Sequence, residues 1–159
     1  FLLFMSKTQP SVKQLWNAFT NKHPEYRDKN IPESFYFCDN KTDANICANL
    51  VLKRIKQATA TSLWWFKTYN QALPKKDDLN IVTDWDGNAV AVIKTTQIDL
   101  VPFHKVTEVF AQTEGEGDGS LAYWRKVHKA FYTREMKNSS DSFNEEMLIV
   151  CERFETLYP

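Results

Sequence analysis

The sequence predicts one α+β domain, in which helices flank a small, mostly antiparallel sheet or barrel. The strongest β signal extends over residues 79–101, where two runs rich in Val and Ile are separated by Asp86-Gly87. Asp-Gly between such runs is typical of a hairpin, because glycine accepts the positive φ that the turn requires. Apolar residues three or four positions apart also predict amphipathic helices over 11–22 and 120–136.

Weaker patterns predict the remaining elements between and after these segments. They are a strand over 35–39, a helix over 42–56, an extended segment over 58–66, a short helix over 105–112 and a last strand over 147–158 that pairs against the hairpin. No repeat or linker interrupts the chain. We expect residues 1–34 to form an N-terminal extension whose helix packs on a single domain formed by 35–159. The opening FLLFM is too short to cross a bilayer. Met5 is a candidate natural start, with the residues before it as an upstream extension.

The composition excludes several classes of protein. Twenty acidic and twenty basic residues cancel, so a protein that coats duplex DNA by charge is not expected. The three cysteines have no zinc-like spacing and no secretory signal precedes them, which predicts free, buried thiols in a cytoplasmic protein without membrane contact. Aromatic residues make up 14% of the chain, enough to supply a stacking surface as well as a core.

Residues 114–120 read EGEGDGS and hold three of the chain's four glycines, each beside a carboxylate. Asp118 or Ser120 can cap the helix that follows, but a cap explains only one glycine and one acid. An EF-hand is excluded, because its twelfth position falls on Arg125 where a glutamate is required. A looser magnesium or manganese site, built from the three acids of the turn, stays open. We favour a pocket wall, where glycines let the backbone approach a ligand and a carboxylate acts as acid, base or acceptor.

A second candidate site lies where the helix predicted over 42–56 gives way to the extended segment. Lys56 and Thr59 are three residues apart, and a lysine of lowered pKa can activate a nearby hydroxyl. The alternative is a solvated helix end whose cations interact with the helix dipole, and spacing alone favours it. Trp64 and Trp65 follow, and each suits either base stacking or the core.

Three segments of the chain together resemble the ASCH family. They are LVLKRIKQATATS, LPKKDDLNIVTDWDGNAVAVIKTTQIDLVPF and VFAQTEGEGDGSLAYWRKVHKAFY, of which EGEGDGSLAYW is the most specific. The resemblance extends from about Phe35 to Tyr158 and is closest to the larger bacterial branch. It implies a PUA-like β-barrel flanked by helices, in agreement with the fold class predicted from the residue patterns.

The family signature is a glycine, any residue, a lysine, and a threonine or serine shortly after. The resemblance places Lys56 and Thr59 at the last two positions, whereas Arg54 departs from the glycine. Similar members are described as hydrolases of an N4-acetylated cytidine nucleoside or as metal-assisted ribonucleases of single-stranded RNA. For the hydrolase, the resemblance implies Thr59 as nucleophile or water-orienting group, Lys56 as its base and Glu114 as proton donor to the leaving amine.

We therefore expect a nucleoside- or RNA-binding pocket and hydrolysis of an N4-acetylated cytidine without a cofactor. The alternatives are a non-catalytic RNA-binding module and a ribonuclease, and only the ribonuclease would need a divalent metal ion. His104 and His128 have no metal-like spacing, so we expect structural or surface roles for both. The further residues expected to bind the ligand are Arg54, Trp64, Trp65, Glu116, Asp118, Ser120, Tyr123 and Arg125.

Overall fold

One sheet of six strands, flanked by helices, forms the described part of the chain and confirms the predicted α+β class. A computed structural model describes residues 2–3 and 9–159, and the candidate start Met5 lies outside this part. The strands are β1 (Leu2–Leu3), β2 (Ser34–Phe37), β3 (Ala58–Ser62), β4 (Leu79–Thr83), β5 (Ala89–Pro102) and β6 (Leu148–Tyr158). The helices are α1 (Pro10–Lys22), α2 (Lys41–Leu52), α3 (Leu63–Thr68), α4 (Glu108–Glu114) and α5 (Leu121–Glu135).

The strands follow the order β1-β2-β4-β5-β6-β3, and all neighbours are antiparallel except β2 and β4. The predicted hairpin is the β4–β5 pair, and the last strand β6 pairs along β5 as expected. Register shifts interrupt β4 between Val82 and Thr83 and β5 at two further points. Such bulges bend strands, which is how a small sheet curves toward a barrel.

Helices cover both faces of the sheet. On one face, α2, α4 and α5 bury the main core, which includes Val51, Phe110 and Trp124. On the other face, α1 packs Trp16 and Phe19 against β4 and β5. The short helix α3 places its aromatic side chains on β6. The site described below lies on the face of α2, α4 and α5.

Three of the predicted element boundaries are wrong by three residues or more, and each has a local cause. The short helix predicted from residue 105 begins at Glu108, because the Thr107 hydroxyl caps it by accepting from Phe110 N–H at 3.2 Å. The segment expected to be extended over 58–66 turns into α3 at Leu63, because the Ser62 hydroxyl caps the helix by accepting from Trp65 N–H at 3.1 Å. The helix predicted to reach residue 56 ends at Leu52, because Arg54 adopts the left-handed conformation with φ of 59°. The turn at Arg54 therefore separates Lys56 from α2.

Further findings concern the thiols and the membrane. Cys38, Cys47 and Cys151 are buried free thiols.

Within residues 9–159, none of the helices combines the length and the apolar character that crossing a bilayer requires, and α5, the longest, has 15 residues.

Candidate active site

The backbone between α2 and β3 places the side chain of Lys56 in the core. Lys56 N–H donates to the carbonyl oxygen of Leu50 at 3.1 Å, and the next residue, Gln57, donates to that of Thr113 at 2.9 Å. These bonds fasten the segment to the end of α2 and to α4. The side chain of Lys56 is fully buried, and its ammonium lies 5.0 Å from the centre of the Phe37 ring. A lysine so placed needs charged partners, because an isolated ammonium is costly to bury.

Two carboxylates of residues 114–120, the acidic turn, supply those partners. Lys56 Nζ lies 3.0 Å from Glu114 Oε1 and 2.5 Å from Glu116 Oε1. Glu114 is the last residue of α4, and Gly115, with φ of 66°, turns the chain so that Glu116 reaches the same ammonium. Glu114 and Lys56, to which the resemblance assigns roles in one reaction, are thus in contact, while the contact from Glu116 was not predicted.

Helix α5 satisfies the other oxygen of Glu114. Trp124 donates its indole N–H to Oε2, and His128 Nε2 lies 3.2 Å from the same atom. His128 Nδ1 lies 2.8 Å from the Trp124 carbonyl oxygen, and the two rings stack with centroids 4.0 Å apart. Trp124 and His128 are four residues apart and so share the inward face of α5. The two carboxylate oxygens of Glu114 are thus contacted by an ammonium, an indole and an imidazole.

The charges in this cluster stabilise one another. Burial alone would raise the pKa of the Glu114 carboxyl, but the Lys56 ammonium and His128 hold it well below its usual range. Burial alone would likewise lower the pKa of the Lys56 ammonium, but Glu116 and Glu114 raise it above its usual range. Lys56 is therefore an ammonium at neutral pH and is not available as a base.

Glu116 connects the buried cluster to a pocket. A cavity of about 280 Å³ opens between α2, the acidic turn and α5, and we call it the Glu116 pocket. Glu116 lies on its wall with 13% of its side chain exposed, whereas Glu114 is fully buried. The residues lining the Glu116 pocket are Cys38, Asp39, Asp43, Ile46, Cys47, Leu50, Glu116, Gly117, Tyr123, Val127 and Arg134.

Polar groups fix one end of the Glu116 pocket. Arg134 on α5 binds Asp39 through both Nε and a terminal nitrogen, at 2.9 and 3.2 Å. Cys47 Sγ lies 3.5 Å from Glu116 Oε1 and 3.6 Å from Cys38 Sγ. The hydrogen bond with Cys38 and burial both raise the pKa of the Cys47 thiol, so it is a neutral donor to Glu116.

A close contact between the acidic turn and α5 explains the glycine at position 117. A Cβ atom there would lie 2.3 Å from the ring of Tyr123. Without that atom, the ring approaches the turn closely and forms part of the pocket wall. Tyr123 itself is 37% exposed, so part of this wall is open to solvent.

The structure brings four of the predicted site residues together: Lys56, Glu114, Glu116 and Tyr123. Ser120 caps α5 by accepting from Tyr123 N–H at 3.1 Å, and Asp118 accepts from Ser120 N–H at 2.9 Å. Both therefore serve the helix start that the simpler interpretation predicted.

Other predicted site residues lie elsewhere. Arg54 donates to the carbonyl oxygen of Pro159 at 2.7 Å, and Arg125 donates to that of His104 at 3.2 Å. Trp64 donates to Asp141 at 2.7 Å, while Trp65 lines a different cavity.

Thr59 is buried in β3 but on the opposite side of the strand from the cluster. Ala58 and Ala60 pack into the main core, where Trp124 also lies, and successive side chains of a strand alternate between faces. Thr59 therefore shares its face with its cross-strand neighbour Glu152.

Sequence reasoning missed the residues that complete the cluster. Cys47 and the Asp39–Arg134 pair carry no motif, so only the packing of α2 against α5 reveals them. The four-residue spacing of Trp124 and His128 was the available signal for α5. Within the described ranges, 2–3 and 9–159, no group of three or more His, Cys, Asp or Glu side chains is arranged to hold a metal ion.

The curved, mostly antiparallel sheet with helices on both faces and a ligand-sized pocket defines an α+β domain of the PUA-like class. The ASCH domain profile matches residues 33–158, and the chain belongs to the ASCH domain family. It is similar to the ASCH domain of Lactobacillus crispatus JV V101, known from a high-resolution crystal structure. The two share 31% identity over 99% of this chain and 100% of the other, with a TM-score of 0.89.

A second solved structure, of a protein from Enterococcus faecalis V583, is also similar. It shares 33% identity over 92% of this chain and 87% of the other, with a TM-score of 0.83. Among curated protein sequences, none matches the chain significantly.

The lowered pKa of Glu114 predicts a specific loss of stability in acid. A carboxyl whose pKa is lower in the folded than in the unfolded state contributes stability above the unfolded value, about 4.3, and loses it as pH falls toward the folded value. We expect the difference in unfolding free energy between the parent and Glu114→Gln to be constant above about pH 5.5. Below about pH 4.3 it should shrink by up to about 1.4 kcal/mol per pH unit.

Urea unfolding at pH 7, 5 and 3 measures this difference. Glu108→Gln, the same chemical change at an exposed site on α4, is the control and should stay within about 0.5 kcal/mol of the parent throughout. A parent–Glu114→Gln difference that is unchanged between pH 5 and pH 3 would contradict the prediction.

Proposed function

We propose that the chain hydrolyses the amide of an N4-acetylated cytidine nucleoside bound in the Glu116 pocket. The observation that carries the proposal is the ion pair of 2.5 Å between the buried Lys56 ammonium and Glu116, the one carboxylate of the pair that faces the cavity. The ion pair fixes the position of the Glu116 carboxylate on the pocket wall, within reach of a bound substrate for proton transfer.

The size and lining of the pocket support a single nucleoside as the ligand. Its volume of about 280 Å³ lies just below the usual range of ligand pockets, roughly 300–1,000 Å³, so it suits a small ligand. Ile46, Leu50 and Val127 provide apolar walls for a base. Acidic side chains can accept from ribose hydroxyls, and Arg134 can donate to a carbonyl oxygen.

Glu116 acts as the general base and then as the general acid. It takes a proton from a water molecule as the water oxygen bonds to the acyl carbonyl carbon. It then gives that proton to N4 as the C–N bond breaks, so the products are acetate and cytidine. General acid–base catalysis of this kind contributes roughly 10²–10⁴-fold to a rate.

Lys56 supports Glu116 as an electrostatic partner and not as the base that the family resemblance implies. The carboxylates that surround it raise its pKa, so it keeps its proton at neutral pH. Because Thr59 shares the opposite face of β3 with Glu152, the proposed reaction uses water and not the threonine hydroxyl as nucleophile.

The test is an assay of purified protein with N4-acetylcytidine, in which chromatography follows cytidine release. We expect the parent to release cytidine and Glu116→Gln to be slower by about a hundredfold or more. The glutamine keeps the size of the side chain and leaves the Lys56–Glu114 pair in place. Glu108→Gln, on the exposed side of α4, should match the parent.

Two results would overturn the proposal. One is absence of cytidine release by folded parent protein, and the other is an equal rate for the parent and Glu116→Gln. In the first case, gel shifts with a single-stranded RNA would test the non-catalytic RNA-binding alternative.

A further inference from the structure

The proposed hydrolysis in the Glu116 pocket needs, besides Glu116 itself, a hydrogen-bond donor for the acyl oxygen of the substrate. When water adds to the acyl carbon, this oxygen takes up a negative charge. Donors at such an oxygen often make the largest single contribution to the rate of acyl transfer. The Lys56 ammonium cannot be that donor, because its side chain is fully buried and already contacts Glu114 and Glu116.

Most other side-chain donors that line the Glu116 pocket are already engaged. Arg134 donates to both carboxylate oxygens of Asp39, at 2.9 and 3.2 Å. Cys47 donates to Glu116 Oε1 at 3.5 Å, and thiols are weak donors in any case. The remaining strong side-chain donor of the lining is the hydroxyl of Tyr123.

The acidic turn determines where the hydroxyl end of the Tyr123 ring lies. Tyr123 belongs to the first turn of α5, and its ring atoms Cε1 and Cζ would each lie 2.3 Å from a Cβ atom at Gly117. Cζ bears the hydroxyl group, so this end of the ring lies against the residue that follows Glu116. The absence of a side chain at Gly117 therefore allows the hydroxyl to approach the catalytic carboxylate of the proposed reaction.

Electrostatic interactions keep the Tyr123 hydroxyl protonated. Partial burial raises its pKa above the ordinary value, and the negative charges of Glu116 and Asp43 raise it further. Tyr123 is therefore a hydrogen-bond donor at neutral pH. Once Glu116 has taken a proton from water, the negative charge lies on the acyl oxygen instead, and a hydroxyl beside Glu116 can donate to it.

We propose that Tyr123 is a further catalytic residue, whose hydroxyl donates to the acyl oxygen of the substrate while water adds to the acyl carbon. This inference rests on the proposed function and extends it. The new bond joins the water oxygen to the acyl carbon, the π-electron pair of the carbonyl moves onto its oxygen, and Glu116 takes the water proton. The carbonyl re-forms as the C–N bond breaks, and N4 leaves with the proton from Glu116. Tyr123 keeps its own proton throughout.

Tyr123→Phe tests the proposal, since it removes the hydroxyl and keeps the ring against Gly117. With N4-acetylcytidine, we expect kcat to fall by roughly a hundredfold while KM stays within about threefold of the parent, because the hydrogen bond becomes strong only in the transition state. Tyr69→Phe makes the same change at an exposed residue outside the Glu116 pocket and should match the parent. Chromatography of the released cytidine gives both constants.

An electron-withdrawing acyl group provides a second readout. In N4-chloroacetylcytidine, the chlorine lowers the negative charge that develops on the acyl oxygen, so hydrolysis depends less on a donor. The ratio of the parent rate to the Tyr123→Phe rate should therefore be smaller for the chloroacetyl substrate than for the acetyl substrate. A purely structural effect of the variant would lower both rates by the same factor.

The possible failures of this inference and of the proposed function are distinguishable. If the parent releases cytidine and Tyr123→Phe has the same kcat, the inference is overturned and the proposed function stands. The same conclusion follows if only KM changes, or if the two substrates lose rate by the same factor. Absence of cytidine release by the folded parent would overturn both.

Discussion

Replacing Lys56 with methionine is expected to lower the free energy of unfolding by about 3–5 kcal/mol. The reason is the fully buried Glu114, whose Oε1 would lose its ammonium partner while remaining out of water. Glu116 would lose the same partner, but its side chain reaches the pocket and can be partly hydrated. Equilibrium unfolding in urea, followed by circular dichroism at pH 7, measures the loss.

Two further variants identify the cause of the expected loss. Lys53→Met makes the same chemical change at an exposed position three residues earlier and should shift the unfolding free energy by about 0.5 kcal/mol or less. Lys56→Met/Glu114→Gln removes both buried charges and should be clearly more stable than Lys56→Met alone, because an uncompensated charge costs more than a neutral pair. If Lys56→Met is no less stable than Lys53→Met, the ion pairs do not stabilise the fold.

Elements with a strong local signal were predicted closely, and elements determined by packing were not. The hairpin β4–β5 and the helices α1 and α5 each follow a clear periodicity or turn motif, and the structure confirms them. Helix α3 has only six residues, too few for a reliable period, and its start depends on the Ser62 cap and on packing against β6. No local pattern distinguishes such a segment from a continued strand.

In the candidate site, too, some features follow from the sequence and others from packing. The resemblance placed Lys56 and Glu114 together although they are 58 residues apart. It did not indicate that Glu116, two residues later, reaches the same ammonium from the pocket side, because this depends on the positive φ of Gly115. The part played by His128 depends on how α5 lies against α4, which is a long-range property of the fold.

Arg54 stands where the family signature has glycine, and its backbone conformation bears on that difference. Glycine is the residue that the family signature has at this position, and Arg54 has φ of 59°, the left-handed region that glycine adopts without steric cost. Arg54 therefore holds a backbone conformation that a glycine would adopt more easily. Its guanidinium binds the carbonyl oxygen of Pro159, which offsets part of the strain.

Gly115→Ala is expected to lower the free energy of unfolding by about 3 kcal/mol, from left-handed backbone strain together with overpacking. Gly115 has φ of 66°, and a Cβ atom there would lie 2.5 Å from the carbonyl oxygen of Ile55. That oxygen belongs to the backbone directly before Lys56, so relief of the overlap requires the lysine to move. Urea unfolding measures the stability, and cytidine release measures the effect on the proposed reaction.

Gly119→Ala is the matched control in the same turn. Its φ of 74° carries a similar conformational cost of about 1 kcal/mol, but a Cβ atom there meets nothing within 4 Å. If Gly115→Ala and Gly119→Ala have equal stability, position 115 needs glycine only for its left-handed backbone conformation. A larger loss of stability in Gly115→Ala would show that position 115 also needs glycine for close packing against the Ile55 backbone. That packing keeps Lys56, Glu114 and Glu116 in one cluster.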